Sequence, residues 1–279
     1  MKHQTYSWKS ARGKNIFGQS WITDSTPKAI ICLVHGQGEH SSRYDHVANF
    51  FVQHDIAFFT GDLIGHGMSE GARGHVSSFS EYIENAEMIL QEAKKTFPDT
   101  PIFIYGHSMG GNIAINHAMQ THDENIKGYI VTSPWIKLSF EPPPWKVVLG
   151  KTVKSIIPSL QQPTGLDAAT ISHDLAEVKK YREDKLNHSK ISVSAYFEIL
   201  THGENILLNA DKLSYPMLLM HGSGDKLTSH LASREFAAMR KDLITYKEFE
   251  GLYHELQHEF ERQNIFDTIL HWINEQLKK

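Results

Sequence analysis

Pro101-Ile102-Phe103-Ile104-Tyr105-Gly106-His107-Ser108-Met109-Gly110-Gly111 is the stretch whose reading decides the fold. The four apolar or aromatic residues before Gly106 suit a strand covered on both faces. Gly106 and Gly110 leave room for a strained turn on Ser108 and for close contact between the following helix and the strand. The pattern is G-x-S-x-G, a strand-to-helix elbow that would hold the Ser108 hydroxyl above a sheet edge. As a bare match it fits an ordinary glycine turn equally well. Its strand-turn-helix setting is what raises Ser108 to a candidate nucleophile.

Working outward, strands alternate with helices on both sides of this stretch. Upstream, two short strands around residues 6–10 and 16–23 flank the turn Ala11-Arg12-Gly13-Lys14 and form an opening hairpin. The continuous apolar run Ala29-Ile30-Ile31-Cys32-Leu33-Val34 ends in His35-Gly36-Gln37-Gly38-Glu39-His40 and leads to a helix over 43–54. A buried strand over 56–62 is followed by a Gly-rich loop, which lacks the Lys-Ser/Thr pair of a P-loop. Apolar residues at Phe79, Tyr82, Ile83, Ala86, Ile89, Leu90 and Ala93 predict a helix over 79–97, with Ser78 or Ser80 as its cap. Downstream, a helix over 112–120 and a strand over 126–132 complete an alternation that argues a mostly parallel sheet flanked by helices.

The pattern breaks after the sixth strand. Residues 134–206 carry Pro142-Pro143-Pro144, Pro158 and Pro163 and several helical stretches but no buried strand. They read as a helical insertion between two parts of one core, 1–133 and 207–279. Alternation resumes with a strand over 216–222, a helix over 230–239, a strand over 244–249 and a last helix over 259–277.

Acyl transfer by a serine requires a base, an acid that orients the base, and donors for the developing oxyanion. After the strand ending Met220-His221-Gly222 comes Ser223-Gly224-Asp225, on the sheet edge where Ser108 is expected. Asp225 is the candidate acid; Asp211 and Asp242 lie beside helices and fit less well. After the strand over 244–249, Glu250-Gly251-Leu252-Tyr253-His254 puts His254 on a loop as the candidate base. Ser108, Asp225 and His254 follow the chain order expected of such a fold. The backbone N–H groups of Met109 and Gln37 are the candidate oxyanion donors.

A competing pattern overlaps this one. His254-Glu255-Leu256-Gln257-His258 spells H-E-x-x-H, which on a helix offers two zinc ligands and a general base, with Glu275 as a third ligand. Gly251 and Tyr253, directly after a strand, place His254 ahead of the helix and off the face of His258. A serine mechanism without metal or cofactor is therefore expected.

Composition excludes other classes. Against 28 Lys+Arg stand 32 Asp+Glu, a formal charge of -4, so there is no electrostatic footprint for nucleic acid. The 18 histidines are mostly scattered without ligand spacing, and the single Cys32 sits in an apolar run as a buried thiol. The start has no apolar core of a signal peptide and no run approaches a membrane span. A soluble, cytoplasmic protein without a cleaved signal is expected.

Taken together, these residues resemble the monoacylglycerol lipases and related lysophospholipases of the α/β-hydrolase fold, among the serine aminopeptidase S33-like hydrolases. The resemblance rests on His35-Gly36-Gln37-Gly38-Glu39-His40-Ser41 with Arg43-Tyr44, Asp62 with Gly65-His66-Gly67-Met68-Ser69, Gly106-His107-Ser108-Met109-Gly110-Gly111, Gly222-Ser223-Gly224-Asp225 and Tyr253-His254. It implies Ser108, Asp225 and His254 as the triad and the N–H groups of Gln37 and Met109 as the oxyanion hole. It implies a lipid ester as substrate and a helical cap over an acyl tunnel at 134–206. There Trp145, Val147, Val148, Leu149, Val153, Ile156, Ile157 and Leu160 alternate with Lys146, Lys151 and Lys154, a pattern for transient membrane contact or for packing on the core. Glu39 and Arg43 match a Glu and an Arg of the family's head-group cluster, although an ion pair bracing the loop would use the same residues. A histidine of that cluster is Gln257 here, which leaves monoacylglycerol, lysophospholipid and simpler ester all open. A non-catalytic lipid carrier on the same fold is the remaining rival.

Overall fold

The computed structural model describes residues 1–141 and 143–279, so Pro142 of the proline run lies outside the described residues, as does the side chain of Lys146. Strands β1 (Lys2–Lys9) and β2 (Asn15–Ile22) form an antiparallel hairpin, and β2 pairs antiparallel with β4 (Ile56–Gly61). From there the sheet is parallel: β4 lies beside β3 (Ala29–Val34), then β5 (Ile102–His107) and β6 (Ile126–Thr132). After an interruption come β7 (Gln161–Pro163) and β8 (Lys190–Ser192), which pair only with each other, then β9 (Met217–Gly222) and β10 (Ile244–Phe249). The main sheet has eight strands in the order β1-β2-β4-β3-β5-β6-β9-β10.

The reading of continuous apolar runs as interior strands holds because every residue of β3, β4, β5 and β9 is buried. Alternate side chains of β3 feed two cores. Ile30 and Cys32 join the helices α2 (Ser80–Thr96), α3 (Met109–Ala118) and α7 (His230–Met239), whereas Ile31 and Leu33 join α1 (Asp45–Val52) and α8 (Arg262–Gln276). Burial raises the Cys32 thiol far above its ordinary value, so it stays protonated.

Among the element ends that differ from expectation, three have a clear physical reason. Helix α2 is capped by neither Ser78 nor Ser80; instead Glu81 Oε1 accepts the N–H groups of Ser77 and Ser78 at 2.8 and 3.3 Å. A carboxylate there also complements the positive helix end. Helix α8 starts at Arg262 because the Glu259 carboxylate turns inward to accept from His173 N–H and Tyr253 N–H, leaving 256–258 as a separate turn. Helix α3 starts at Met109, so Gly110 and Gly111 lie inside it.

The reason is proximity to the sheet. A Cβ on Gly110 would stand 2.0 Å from Val34 O and 2.6 Å from His35 O. Gly110→Ala is therefore expected to push α3 off the sheet and lower stability by about 3 kcal/mol, the upper end of ordinary overpacking. A urea midpoint unchanged from the parent protein would contradict this.

The described residues between 134 and 216 add no strand to the main sheet. They contain α4 (Pro144–Ile156), α5 (Leu175–Glu183) and α6 (Val193–Leu208). Contrary to the expectation of no buried strand there, Ile191 and Ser192 of β8 are buried, and Ser192 N–H bonds Gly74 O at 2.9 Å. Three residues are too few to leave a periodic signature in sequence. Helix α6 runs through position 206 and is tied to α3 by Asn112 Nδ2, which donates to Ile199 O at 3.0 Å.

Candidate active site

In a parallel sheet all strands end on one edge, and the loops there converge. The ends of β3, β5, β9 and β10 bring Gln37, Ser108, Asp225 and His254 to a single cavity of ≈ 280 Å³, all but Asp225 among its lining residues.

Ser108 occupies the elbow with φ 55 and ψ -117, a conformation that L-residues adopt only under constraint. Its N–H donates to Thr132 O at 3.0 Å and its carbonyl accepts from Trp135 N–H at 3.0 Å, so neighbouring backbone enforces the turn. The hydroxyl stands 2.9 Å from His254 Nε2, and His254 Nδ1 lies 2.6 Å from Asp225 Oδ2. A carboxylate only accepts, so Nδ1 carries the ring proton and Nε2 is free to accept from Ser108. Burial by itself would depress the His254 pKa; the Asp225 charge and hydrogen bond outweigh it and raise the value. Burial would raise the Asp225 pKa, but His254 and His221 hold it well below the usual carboxylate range.

Asp225 is itself fixed: Oδ1 accepts the N–H groups of Leu227 and Thr228 at 2.7 and 3.1 Å, and Oδ2 faces the Thr228 hydroxyl at 2.8 Å. On the opposite side, neither the Gln37 nor the Met109 N–H is taken by a protein acceptor among the described residues. The Gln37 side chain is pinned, donating to Lys190 O at 2.9 Å, which steadies its backbone. Two free donors beside a hydroxyl on a base are suited to a negative oxygen developing in acyl transfer.

Glu39 and Arg43 are placed differently from one another. Glu39 lines the cavity; Arg43 does not, and its side chain is only 7% exposed. Its guanidinium donates to Glu39 Oε2 at 2.6 Å and to both oxygens of Glu255 at 2.7 Å, an ion-pair arrangement that braces the loop. Glu39 Oε1 accepts from Gly36 N–H at 2.6 Å and Tyr44 O–H at 2.8 Å, which anchors the loop carrying Gln37. Glu255 is the partner that sequence reasoning missed, because the H-E-x-x-H pattern assigned it another role. Gln257 is fully buried beneath the loop, beside the Tyr44 hydroxyl, and does not line the cavity.

The two histidines of H-E-x-x-H do not converge. His254 uses both ring nitrogens on Asp225 and Ser108, while His258 Nδ1 lies 3.0 Å from Glu255 Oε2. Glu275, on α8, pairs with Lys278 at 3.3 Å. Among the described residues no three His, Cys, Asp or Glu side chains are grouped to hold a metal.

The cavity has an apolar wall of Trp135, Leu138, Leu166, Ile171 and Leu227, and a polar wall that includes Glu39, Asp184 and Glu255. On the outer surface of α4, Trp145, Val148, Leu149 and Ile156 are 64%, 66%, 55% and 72% exposed. Lys154 is paired with Glu198 at 2.9 Å. No helix among the described residues is long and apolar enough to cross a membrane.

A family model described as serine aminopeptidase, S33, matches residues 25–261. The chain is 32% identical over 271 residues to the monoglyceride lipase of Rattus norvegicus, covering 95% of this chain and 87% of the relative. It is 34% identical over 251 residues to phospholipase YtpA of Bacillus subtilis (strain 168), covering 88% and 95%. Among solved structures, the monoacylglycerol lipase of Paleococcus ferrophilus superposes with a TM-score of 0.84 at 30% identity, over 94% of this chain and 99% of that one.

Proposed function

The chain belongs to the serine aminopeptidase S33 family of α/β-hydrolases and is a carboxylic ester hydrolase, and from that premise we propose that it cleaves monoacylglycerols through an acyl-Ser108 intermediate. The observation that carries this reading is the line from Ser108 Oγ to His254 Nε2 to Asp225 Oδ2, at 2.9 and 2.6 Å, in a cavity with an apolar wall. In the mechanism, Ser108 Oγ attacks the ester carbonyl while His254 Nε2 takes its proton. The oxyanion is held by the N–H groups of Gln37 and Met109. Collapse breaks the bond to the alcohol oxygen, which leaves with the proton from His254. Water then repeats the sequence on the acyl-enzyme and releases the fatty acid.

Acyl burial against Trp135, Leu138 and Leu166 supplies affinity, about 0.8 kcal/mol per CH₂ removed from water. The alcohol side favours a neutral group. Three carboxylates, Glu39, Asp184 and Glu255, line the polar wall, and the guanidinium of Arg43 is already taken. Arg182 is the one Arg or Lys among the described lining residues, and it is 57% exposed and 3.7 Å from Asp167, so a phosphodiester would find only a solvated cation there, which places lysophospholipids second. Glu39 faces the alcohol and Arg43 acts through it. The segment 134–206 is the cap in this reading, and the exposed apolar side of α4 makes transient contact with a membrane from the cytoplasm.

A fluorophosphonate probe followed by intact mass and peptide mapping tests the mechanism. A single adduct on Ser108 is expected; a zinc peptidase or a lipid carrier would give none. Monoacylglycerols should be turned over in preference to lysophosphatidylcholines of the same acyl chain, and the reverse order would overturn the substrate assignment. The general base must be unprotonated, so activity is lost as pH falls through the His254 pKa. Because that value is raised, the acid limb of kcat/KM is expected above histidine's ordinary 6.5. A midpoint at or below that value would contradict it.

A further inference from the structure

Asp225 Oδ2 faces two imidazoles. Besides His254 Nδ1 at 2.6 Å, His221 Nε2 stands 3.0 Å from the same oxygen. His221 is the penultimate residue of β9, fully buried, and its Nδ1 lies 2.8 Å from Ser233 Oγ on α7. The tautomer follows from the partners. The carboxylate can only accept, so Nε2 bears the proton, and Nδ1 is left to accept the Ser233 hydroxyl proton. Donors therefore run in one direction, from Ser233 to His221 to Asp225.

We propose that His221 is a positioning residue for the site: by donating Nε2–H to Asp225 Oδ2 it aims that oxygen at His254 and shares its negative charge. The proposal rests on the assignment of Asp225 and His254 as acid and base. Its consequence concerns how firmly His254 holds a proton. A carboxylate with one imidazole partner places its charge on that partner, whereas a second N–H donor diverts part of it. His254 is then kept less basic than Asp225 alone would make it, and so remains unprotonated at lower pH.

The surroundings bear on both rings. His254 also faces Glu255 and Glu39, whose charges favour its protonated form, and His107 of β5, whose ring centroid is 5.0 Å away. His221 faces Asp225, His254 and, from α7, His230 at 6.4 Å between centroids. Burial and the two neighbouring histidines hold the His221 pKa below its ordinary value against the pull of Asp225, and this favours the neutral ring.

Two polar variants separate this role from packing. His221→Gln carries an amide N–H to about the position of Nε2 and keeps the bond to Asp225. His221→Asn reaches only the Nδ1 position, beside Ser233. The acid limb of kcat/KM is expected to move up by about 0.5–1 pH unit in the Asn variant and to stay at the wild-type position in the Gln variant. An unmoved limb in the Asn variant, or an equal shift in both, would overturn the proposal. Independently of any variant, ¹⁵N NMR of the wild-type protein at about pH 8, where a neutral imidazole is expected, should find His221 in the Nε2–H tautomer, and an Nδ1–H tautomer would overturn it too. Fluorophosphonate labelling of each protein at Ser108 keeps two failures apart. If wild type is not labelled, the acid and base assignment itself falls and this proposal with it. If all are labelled and the limbs coincide, only the role of His221 falls.

Discussion

Ser108→Ala is expected to lower kcat by roughly 10⁶-fold with the fold intact. The hydroxyl is 2.9 Å from the base, and its removal leaves no oxygen to form the acyl intermediate. The elbow survives, because φ 55 at this position is enforced by backbone bonds to Thr132 and Trp135 rather than by the side chain. Residual hydrolysis would come from water positioned near His254 and from the free N–H groups of Gln37 and Met109. Steady-state kinetics on a monoacylglycerol, with a thermal melt as control, checks this. Turnover within tenfold of the parent protein in a correctly folded variant would remove Ser108 from the mechanism.

Asp225→Asn is expected to cost roughly 10⁴-fold in kcat, and the geometry says why the loss would be in tautomer rather than in structure. Oδ1 accepts two backbone N–H groups, from Leu227 and Thr228. An amide oxygen would be kept at that site, turning the NH₂ group toward His254. Nδ1 would then have to accept, the ring proton would move to Nε2, and Nε2 could no longer take the proton of Ser108. The expected signature is a large fall in kcat with little change in KM. A loss confined to KM would assign Asp225 to binding instead.

Much of this was legible in the sequence. The runs at 29–34, 56–59 and 102–105 marked interior strands because strands covered on both faces are built mostly from apolar residues. Loops after such strands share one edge in a parallel sheet, so Ser108, Asp225 and His254 could be placed together from chain order alone. Helix ends were less legible. Glu81 and Glu259 decided where α2 and α8 begin, by bonds to backbone N–H groups that no periodicity records.

The sequence by itself determined the fold and the candidate triad, since both follow from local pattern and strand order, and its motifs carried the resemblance to the family. Only the tertiary structure decided the surroundings of the site. It closed Arg43 against Glu255, which stands 212 positions along the chain. It set Gly110 against Val34 and brought His221 and Ser233 behind Asp225. Partnerships of this kind depend on where separate elements cross in space, and hydrogen bonds between distant polar side chains leave no periodic trace in the sequence.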